Sequence, residues 1–394
     1  MMTLLILADD LTGAADSAAR CHHAGLPAHV YLTAVAGPLP AGAVAFNTDS
    51  RHLSSPEAAA QVRRLLKTFA ASQPVQWYKK IDSTLRGNIG AELDAMLTVL
   101  TPADAQPCAV VCPAFPAQNR GLVDGYLVYT HTAANRLHLP TLLSQQTDRP
   151  VAAISLADIR TGLDHLVAKL TQAQEQGAQL FVLDALDEAD LGYILAAVQQ
   201  ALPGALFCGS AGLIEPFARE HARQGLSSQP VESAPVQLRR PIFAVSGSGS
   251  AMAHEQLAKL RQQADVRVIE VQYAMTPELT LVTQPNHWVY HLPYPGHQAP
   301  LEGSVARNFV AYLTEMAAVL IEQLQPGTLI LVGGDTAIHL LSHLGITQLT
   351  VLCELMPGIP LLEGSDASGI KRQIITKAGN FGDADTLVRL FQRA

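Results

Sequence analysis

Short apolar runs rich in β-branched residues recur along the chain at Leu4–Leu7, Ala109–Cys112, Phe181–Leu183, Ile242–Val245 and Leu329–Val332. Most feed a polar or Gly-rich loop and then a stretch of helical period. Parallel strands cannot be joined by a tight turn, so each needs a crossover, and a helix is the usual one. The alternation predicts an α/β fold whose mainly parallel sheets are flanked by helices. A chain of 394 residues exceeds what one core ordinarily supports. The segment GLSSQPVESAPVQLRRP, Gly225 to Pro241, is rich in Ser, Pro and Gln and has little periodicity. Two domains are expected, 1–225 and 242–394, joined by a linker over 226–241. Inside the second, Gln284 to Gly303 is Pro-rich and predicts a strand followed by a long loop.

Only 15% of residues are charged and the net charge is −8, which argues against a broad nucleic-acid surface. Asp9 and Asp10 cut the first apolar run short, so it does not read as a signal peptide. No other apolar stretch reaches the ~20 residues of a membrane span. A cytoplasmic protein is expected. The five cysteines, Cys21, Cys108, Cys112, Cys208 and Cys353, are scattered and odd in number, as reduced buried thiols are. Cys108 and Cys112 lie in a strand-like CAVVC with no second Cys/His pair, and His339 and His343 lack an acidic companion, so no metal ligand is assigned.

In open α/β sheets ligands sit at the carboxyl ends of the strands. LLILADDLTGAADSAA runs a strand into Asp9 and Asp10. VAFNTDSR ends in Arg51, whose guanidinium suits a bidentate grip on a carboxylate. QWYKKIDSTLRGNIGAEL runs into Lys79, Lys80, Ile81, Asp82, Ser83, Thr84 and Arg86. Asp9 or Asp10 alone reads as a helix cap, and so do Ser83 and Thr84, but the whole set exceeds what capping requires. PAFPAQNRGLVDGYLVY adds a Pro-rich loop with Asn119, Arg120 and Asp124. A pocket for a small, polar, anionic substrate is expected.

The second half repeats a different design. AVSGSGSAMAHEQLAKL places Ser246, Gly247, Ser248, Gly249 and Ser250 between strand and helix, and LILVGGDTAIHLLSHL does the same with Gly333, Gly334, Asp335 and Thr336. Gly loops at helix starts offer free N–H groups and a positive dipole end to phosphate. LMPGIPLLEG supplies a tight turn over Pro357, Gly358, Ile359 and Pro360, and ITKAGNFGD sets Lys377 before Gly379 and Asn380. Each loop alone also reads as an ordinary strand-to-helix turn. The dinucleotide fingerprint is incomplete, because Met252 stands where its third Gly is required, and no Gly-Lys pair exists for a phosphate-binding loop of the Walker type. LFCGSAGL holds Ser210, but Cys208 replaces the first Gly of a nucleophile elbow.

The stretches LADDLTGAADSA, KKIDSTLRGNIGAEL, PAFPAQNRGLVDGYLVY, VSGSGS, VGGDTA, MPGIPLLEG and KAGNFGD together resemble the four-carbon acid sugar kinases, across essentially the whole chain. The resemblance implies an N-terminal acid-sugar-binding domain, a C-terminal ATP-binding domain and an active site in the interdomain cleft. It implies ATP-dependent phosphorylation of the 4-hydroxyl of a tetronate, D-threonate first, with 3-oxo-tetronate and D-erythronate as alternatives. Substrate contacts would fall on Asp9, Arg51 and Lys80–Ser83, and ATP contacts on Ser246–Ser250, Gly333–Thr336, Pro357–Pro360 and Gly379. Residues and resemblance together predict a substrate carboxylate held by Arg51 and Lys80. Asp82, or Asp9 or Asp10, would take the hydroxyl proton, Lys80 or Arg86 would offset charge on the transferred phosphoryl, and Mg²⁺ would sit on the phosphates with ligands unassigned. Two other classes fit less well: a sugar-acid sensor without chemistry, and an NAD-dependent oxidoreductase, for which Asp265 lies too close to Gly249. Partners are the sugar acid and ATP, without nucleic acid or membrane, and a homodimer is the common default.

Overall fold

A strand covered by helices on both faces buries every side chain, so its sequence runs apolar without alternation. β1 (Thr3–Ala8) shows this, with all six residues buried. The computed structural model describes residues 3–33, 37–69, 75–102, 105–129, 137–224, 236–272, 287–294 and 303–394. Backbone contacts divide the chain into Met1–Pro230 and Val231–Ala394. Residues 226–235 of the expected linker, and 284–286 and 295–302 of the expected strand and long loop, lie outside the described residues.

In the first unit β1 is followed by α1 (Leu11–His23), β2 (Ala28–Tyr31), β3 (Ala43–Asn47), α2 (Ser55–Phe69), β4 (Val75–Lys80), α3 (Ile89–Leu100) and β5 (Ala109–Cys112). A hairpin, β6 (Arg120–Val123) and β7 (Tyr126–Tyr129), comes next. Then follow α4 (Leu139–Gln146), β8 (Val151–Ile154), α5 (Leu156–Thr161), α6 (Leu163–Glu175), β9 (Leu180–Leu183), α7 (Glu188–Ala201), β10 (Leu206–Gly209) and α8 (Ala211–Gln224). The sheet order is β2-β3-β1-β4-β10-β5-β9-β8, and every pairing is parallel. α2 buries Ala58, Ala59, Val62, Leu65, Leu66 and Phe69, the one-sided spacing of an amphipathic helix. This stripe packs with Leu93, Met96 and Leu97 of α3 against Leu5, Leu7, Val44 and Phe46 of the sheet. Truncating a buried leucine there, Leu93→Ala for example, removes roughly 2–5 kcal/mol.

The second unit runs β11 (Ile242–Ser246), α9 (Ala251–Leu260), β12 (Val266–Glu270), β13 (His287–His291), α10 (Gly303–Leu324), β14 (Thr328–Val332) and α11 (Gly334–His343). It continues with β15 (Gln348–Met356), β16 (Ile359–Ser365), β17 (Lys371–Lys377) and α12 (Thr386–Phe391). Its strands are ordered β12-β13-β11-β14-β17-β16-β15. The first five pair in parallel, and the β15–β16–β17 meander adds antiparallel pairing. The core joins Ile242, Ala244, Ile330, Val332 and Ile375 to Leu257 and Leu260 of α9 and Leu387 and Leu390 of α12. All five cysteines are free and buried. No described helix is long and apolar enough to cross a membrane.

Candidate active site

β3, β1, β4 and β10 are neighbours, so the chain leaves the sheet side by side at residues 48–51, 9–10, 81–86 and 210. Asp10 caps α1, accepting from the Gly13 amide at 2.8 Å and the Thr12 hydroxyl at 2.7 Å. It also accepts from Arg51 Nη1 at 2.7 Å. Arg51 closes its fork on Asp9, with Nε to Oδ2 at 2.8 Å and Nη2 to Oδ1 at 2.9 Å. The bidentate grip expected for a substrate carboxylate is therefore taken by Asp9, and Arg51 acts here as the clamp of an internal Asp-Arg-Asp cluster. Burial works against the charges, but Asp10 and Asp9 hold the Arg51 guanidinium well above its ordinary pKa. Burial likewise opposes ionisation of Asp10, yet Arg51 and Lys80 hold its carboxyl below the usual range.

Successive strand residues face opposite sides, so Lys79 and Lys80 at the end of β4 part company. Lys79 is fully buried and pairs with Glu92 of α3, which is 1% exposed. Glu92 Oε1 also accepts from the Ser50 hydroxyl at 2.5 Å, and Ser50 bonds Thr48 at 2.7 Å, so this pair braces the turn that carries Arg51. Lys80 turns the other way, over the start of α1. A Cβ at Gly13 would stand 2.6 Å from Asp10 Oδ1 and 2.8 Å from Lys80 Nζ, so glycine lets both groups approach the start of α1 without displacement. Lys80 Nζ donates to the Ile81 carbonyl at 2.9 Å. Ile81 itself is core, 1% exposed, with its amide bonded to Gly209 O at 2.9 Å. It contributes backbone to the site.

Ser83 and Thr84 do not cap a helix, because α3 starts only at Ile89. Residues 81–88 form a loop whose Leu85 has φ +64°, a conformation a branched side chain resists and one that clusters at functional sites. Asp82 organises this loop. It accepts from Arg86 Nε at 2.6 Å and from the Thr84 hydroxyl. Despite burial, Arg86 and Arg51 drive the Asp82 carboxyl far below its ordinary pKa. The Ser83 hydroxyl accepts from Arg120 Nη1. Arg120, 7% exposed at the start of β6, belongs with the site. Sequence reasoning noted it in its loop but gave it no role, since 37 positions separate it from Ser83.

Two expected substrate residues of this stretch, Asn119 and Asp124, are turn residues with positive φ. Asn119 is exposed and ends a short 3₁₀ turn with φ +56°. Asp124, with φ +50°, and Gly125 form the tight turn of the β6–β7 hairpin, where their amides donate to Asp184 at 2.6 and 3.0 Å. Three residues lie between Arg120 and Asp124, and at ~3.3 Å of rise per residue Asp124 stands at the far end of β6 from the Arg120–Ser83 contact. Ser210 is a structural hydroxyl, donating to Ala114 O at 2.7 Å and accepting from the Gly212 amide at 3.0 Å.

In the second unit Ser246, Val332 and Lys377 stand abreast at the ends of β11, β14 and β17. The loops after them meet. Gly247 N donates to Thr336 Oγ1 at 3.1 Å, and Gly333 N to Lys377 O at 2.9 Å. Gly379 lies so close to Ser248 that a Cβ there would fall 1.9 Å from its Oγ. Ser250 caps α9 by accepting from the Ala253 amide at 3.2 Å, and Gly333 precedes α11, so two helix starts open beside the same loops. Gly334, Asp335 and Thr336 form the first turn of α11, and Ser248 and Gly249 the bend before α9. Asn380 is exposed beyond Gly379. Pro357 and Gly358 make the β15–β16 turn, with Gly358 N on Glu354 Oε1 at 2.7 Å, while Ile359 and Pro360 are buried in β16. The pairing of β16 with β17 puts this turn at the Lys377 end of the sheet. Ser246 Oγ and Thr376 Oγ1 are buried without a hydrogen-bond partner among the described residues, as polar atoms awaiting a ligand would be. The Gly-lined close approach, helix starts and orphaned hydroxyls fit a nucleotide's phosphates.

The profile of a sugar-binding N-terminal domain matches residues 4–217, and that of a nucleotide-binding C-terminal domain matches residues 297–387. The chain is 31% identical to a D-threonate kinase of Bordetella bronchiseptica, over 98% of this chain and 96% of that one. It is 28% identical to a D-threonate kinase of Salmonella typhimurium, over 98% and 97%. It is also 28% identical to a 3-oxo-tetronate kinase of the same organism, over 99% and 98%. Among solved structures, a Salmonella typhimurium LT2 protein described as a tRNA synthase superposes with a TM-score of 0.79 at 25% identity, covering 99% of both chains. A Haemophilus influenzae protein with a TM-score of 0.69 and 22% identity shares the fold. A sugar-binding half rich in clamped carboxylates and cations, and a nucleotide-binding half built from Gly loops, place the chain in the family of four-carbon acid sugar kinases, phosphotransferases whose acceptor is an alcohol group of a sugar acid.

Proposed function

We propose that this protein transfers the γ-phosphoryl group of ATP to the 4-hydroxyl of D-threonate, giving D-threonate 4-phosphate, and does so in the cytoplasm. Full-length similarity to D-threonate kinases, at 31%, 28% and 30% identity, carries the choice of substrate. The second reading, a 3-oxo-tetronate, is favoured by a full-length relative at 28%. A D-erythronate kinase matches over 49% of the chain.

Phosphoryl transfer asks little covalent chemistry of a protein and much positioning and charge neutralisation. Lys80, whose ammonium donates to a backbone carbonyl, takes the substrate carboxylate, beside an Arg51 fixed by Asp9 and Asp10. Ser83, oriented by Arg120, supplies a hydroxyl that distinguishes the sugar-acid hydroxyls. Asp82 accepts a hydrogen bond from the attacking hydroxyl. Its carboxylate is weakly basic, which suits a loose transition state in which the hydroxyl proton leaves late. Arg86, 60% exposed, is available to developing phosphoryl charge. The loops at Ser246–Ser250, Gly333–Thr336 and Gly379–Asn380 hold the phosphates, and the Pro357–Gly358 turn flanks them. Mg²⁺ on those phosphates supplies further neutralisation, with no residue assigned to it.

The test is coupled ADP release with MgATP across D- and L-threonate, D- and L-erythronate and 3-oxo-tetronates. Turnover with D-threonate at a kcat/KM well above the others is the expected result. Preference for another member replaces the substrate and keeps the chemistry.

A further inference from the structure

Lys377 is unused by the mechanism above, yet it is the most unusual residue of the second unit. It is fully buried. Its Nζ donates to the carbonyls of Ala378 at 3.0 Å and Gly379 at 3.4 Å, and its own carbonyl receives the Gly333 amide at 2.9 Å. In a trans peptide the C=O and N–H point to opposite sides. Drawing the carbonyls of 378 and 379 inward therefore turns the amides of Gly379 and Asn380 away from the Lys377 ammonium, in a loop that packs closely against Ser248 and Ser250. Among the described residues neither amide has an acceptor. Two successive outward N–H groups form an anion-binding nest.

The charged and titratable groups on the surrounding elements are otherwise engaged or distant. Glu354 holds the Gly358 amide at 2.7 Å, Asp383 pairs with Arg389 at 2.8 Å, Asp385 pairs with Lys259 at 2.8 Å, and His254 meets Ser248 O at 3.1 Å. Asp335 opens α11. None of them perturbs Lys377. Burial alone acts on it, pulling its pKa down to about 7.

We propose that Lys377 is a positioning residue of the nucleotide site, whose ammonium turns the Gly379 and Asn380 amides toward a nucleotide phosphate and is itself drawn fully into the charged state when that phosphate binds. The proposal rests on the nucleotide-binding reading of this unit. Below neutral pH the ammonium is already charged and binding takes up no proton. Above it the free protein holds a neutral amine, the phosphate favours the charged form, and binding draws a proton from solvent.

The test is calorimetric titration of the full chain with MgADP at about pH 6 and about pH 8.5, in buffers of different ionisation heat. Wild type should show proton uptake at the higher pH only, with affinity falling by up to about tenfold per pH unit above neutrality. Lys377→Met should bind roughly tenfold to a hundredfold more weakly at about pH 6 and lose the proton uptake, so any remaining pH dependence belongs to the nucleotide. Lys377→Arg, charged at every pH, should also lose the uptake. Wild-type binding without proton uptake, or Lys377→Met binding with unchanged affinity and pH profile, overturns the proposal. Wild type that binds no MgADP at any pH overturns the nucleotide reading and the proposal with it, a distinct outcome.

Discussion

Glu92→Gln isolates the buried pair beneath the sugar-acid site. Lys79 has no exposed surface and Glu92 is 1% exposed, so neither charge is solvated by water. Burial pushes the Lys79 ammonium down, but Glu92 and Asp9 outweigh it and hold its pKa above the ordinary value. Neutralising Glu92 leaves that ammonium buried against an amide, and breaking such a pair from one side is worth about 3–5 kcal/mol. For a unit of this size each kcal/mol lowers Tm by roughly 2–4 °C, so calorimetry should show the transition of the first unit falling by about 6–20 °C. The loss should shrink as pH approaches about 10, where the amine can be buried neutral. The double variant Lys79→Met/Glu92→Gln removes the stranded charge and should recover most of the stability. Because Glu92 also holds Ser50 next to Arg51, the single variant should raise KM for the sugar acid and leave KM for ATP in place. A Glu92→Gln protein within about 1 kcal/mol of wild type, or a double variant no more stable than the single one, refutes the reasoning.

Four further outcomes are expected. Asp82→Asn should lower kcat by about 10²–10³ while the fold survives, and near-normal turnover would remove Asp82 from the proton-accepting role. Since the Asp82 pKa is depressed, its contribution to stability is present above its unfolded value near 3.8 and fades only as pH falls below that, so no loss from this group should appear in a pH titration of Tm above about pH 4. Gly379→Ala drives a methyl into Ser248 and should cost about 1–3 kcal/mol together with most nucleotide affinity, with Ser248→Gly as the partial rescue in a thermal-shift titration. Lys377→Met should make the ligand-free protein more stable: a pKa moved from 10.5 to about 7 corresponds to at most roughly 5 kcal/mol, present below neutrality and vanishing toward pH 10.5, so denaturant melts should show a gain at about pH 6 that fades by about pH 10.

The fold was legible because parallel strands advertise themselves. Thr3–Ala8 is buried on both faces and reads as one apolar run, and its polar continuation at Asp9 marks where the sheet ends. The antiparallel meander at the end of the second unit was less legible: Pro357–Gly358 announced a turn, but the run of β16 carries no period that tells an antiparallel neighbour from a parallel one. In the site, the residue types were readable and their pairings were not. Arg51 meets Asp9 across 42 positions and Arg120 meets Ser83 across 37, distances over which spacing carries no register. Lys79 and Lys80 were a missed opportunity, since strand alternation alone forbids both from entering one pocket. Asp124–Gly125 also carries a plainer signal, the dipeptide of a two-residue hairpin turn.

These pairings change what the sugar-acid half does. A pocket of unpaired cations would bind a tetronate carboxylate tightly in the ground state, which lowers KM without lowering the barrier. Here Arg51 is spent on Asp9 and Asp10 and Lys79 on Glu92, while Arg86 orients Asp82 from a side chain that stays 60% exposed. The internal pairs fix geometry in place of supplying free charge, and the ammonium of Lys80, which also favours the Asp10 carboxylate, then stands at a defined point over α1. Lys377 of the second unit differs, since among the described residues no carboxylate acts on its buried ammonium, and the proposal above has a nucleotide phosphate supply the missing charge. On the proposed reading, nucleotide occupancy offsets the cost of burying the Lys377 ammonium, and the clamped cations of the first unit have no such cost left to relieve. Ligand-free protein should therefore be stabilised more by MgADP than by sugar acid.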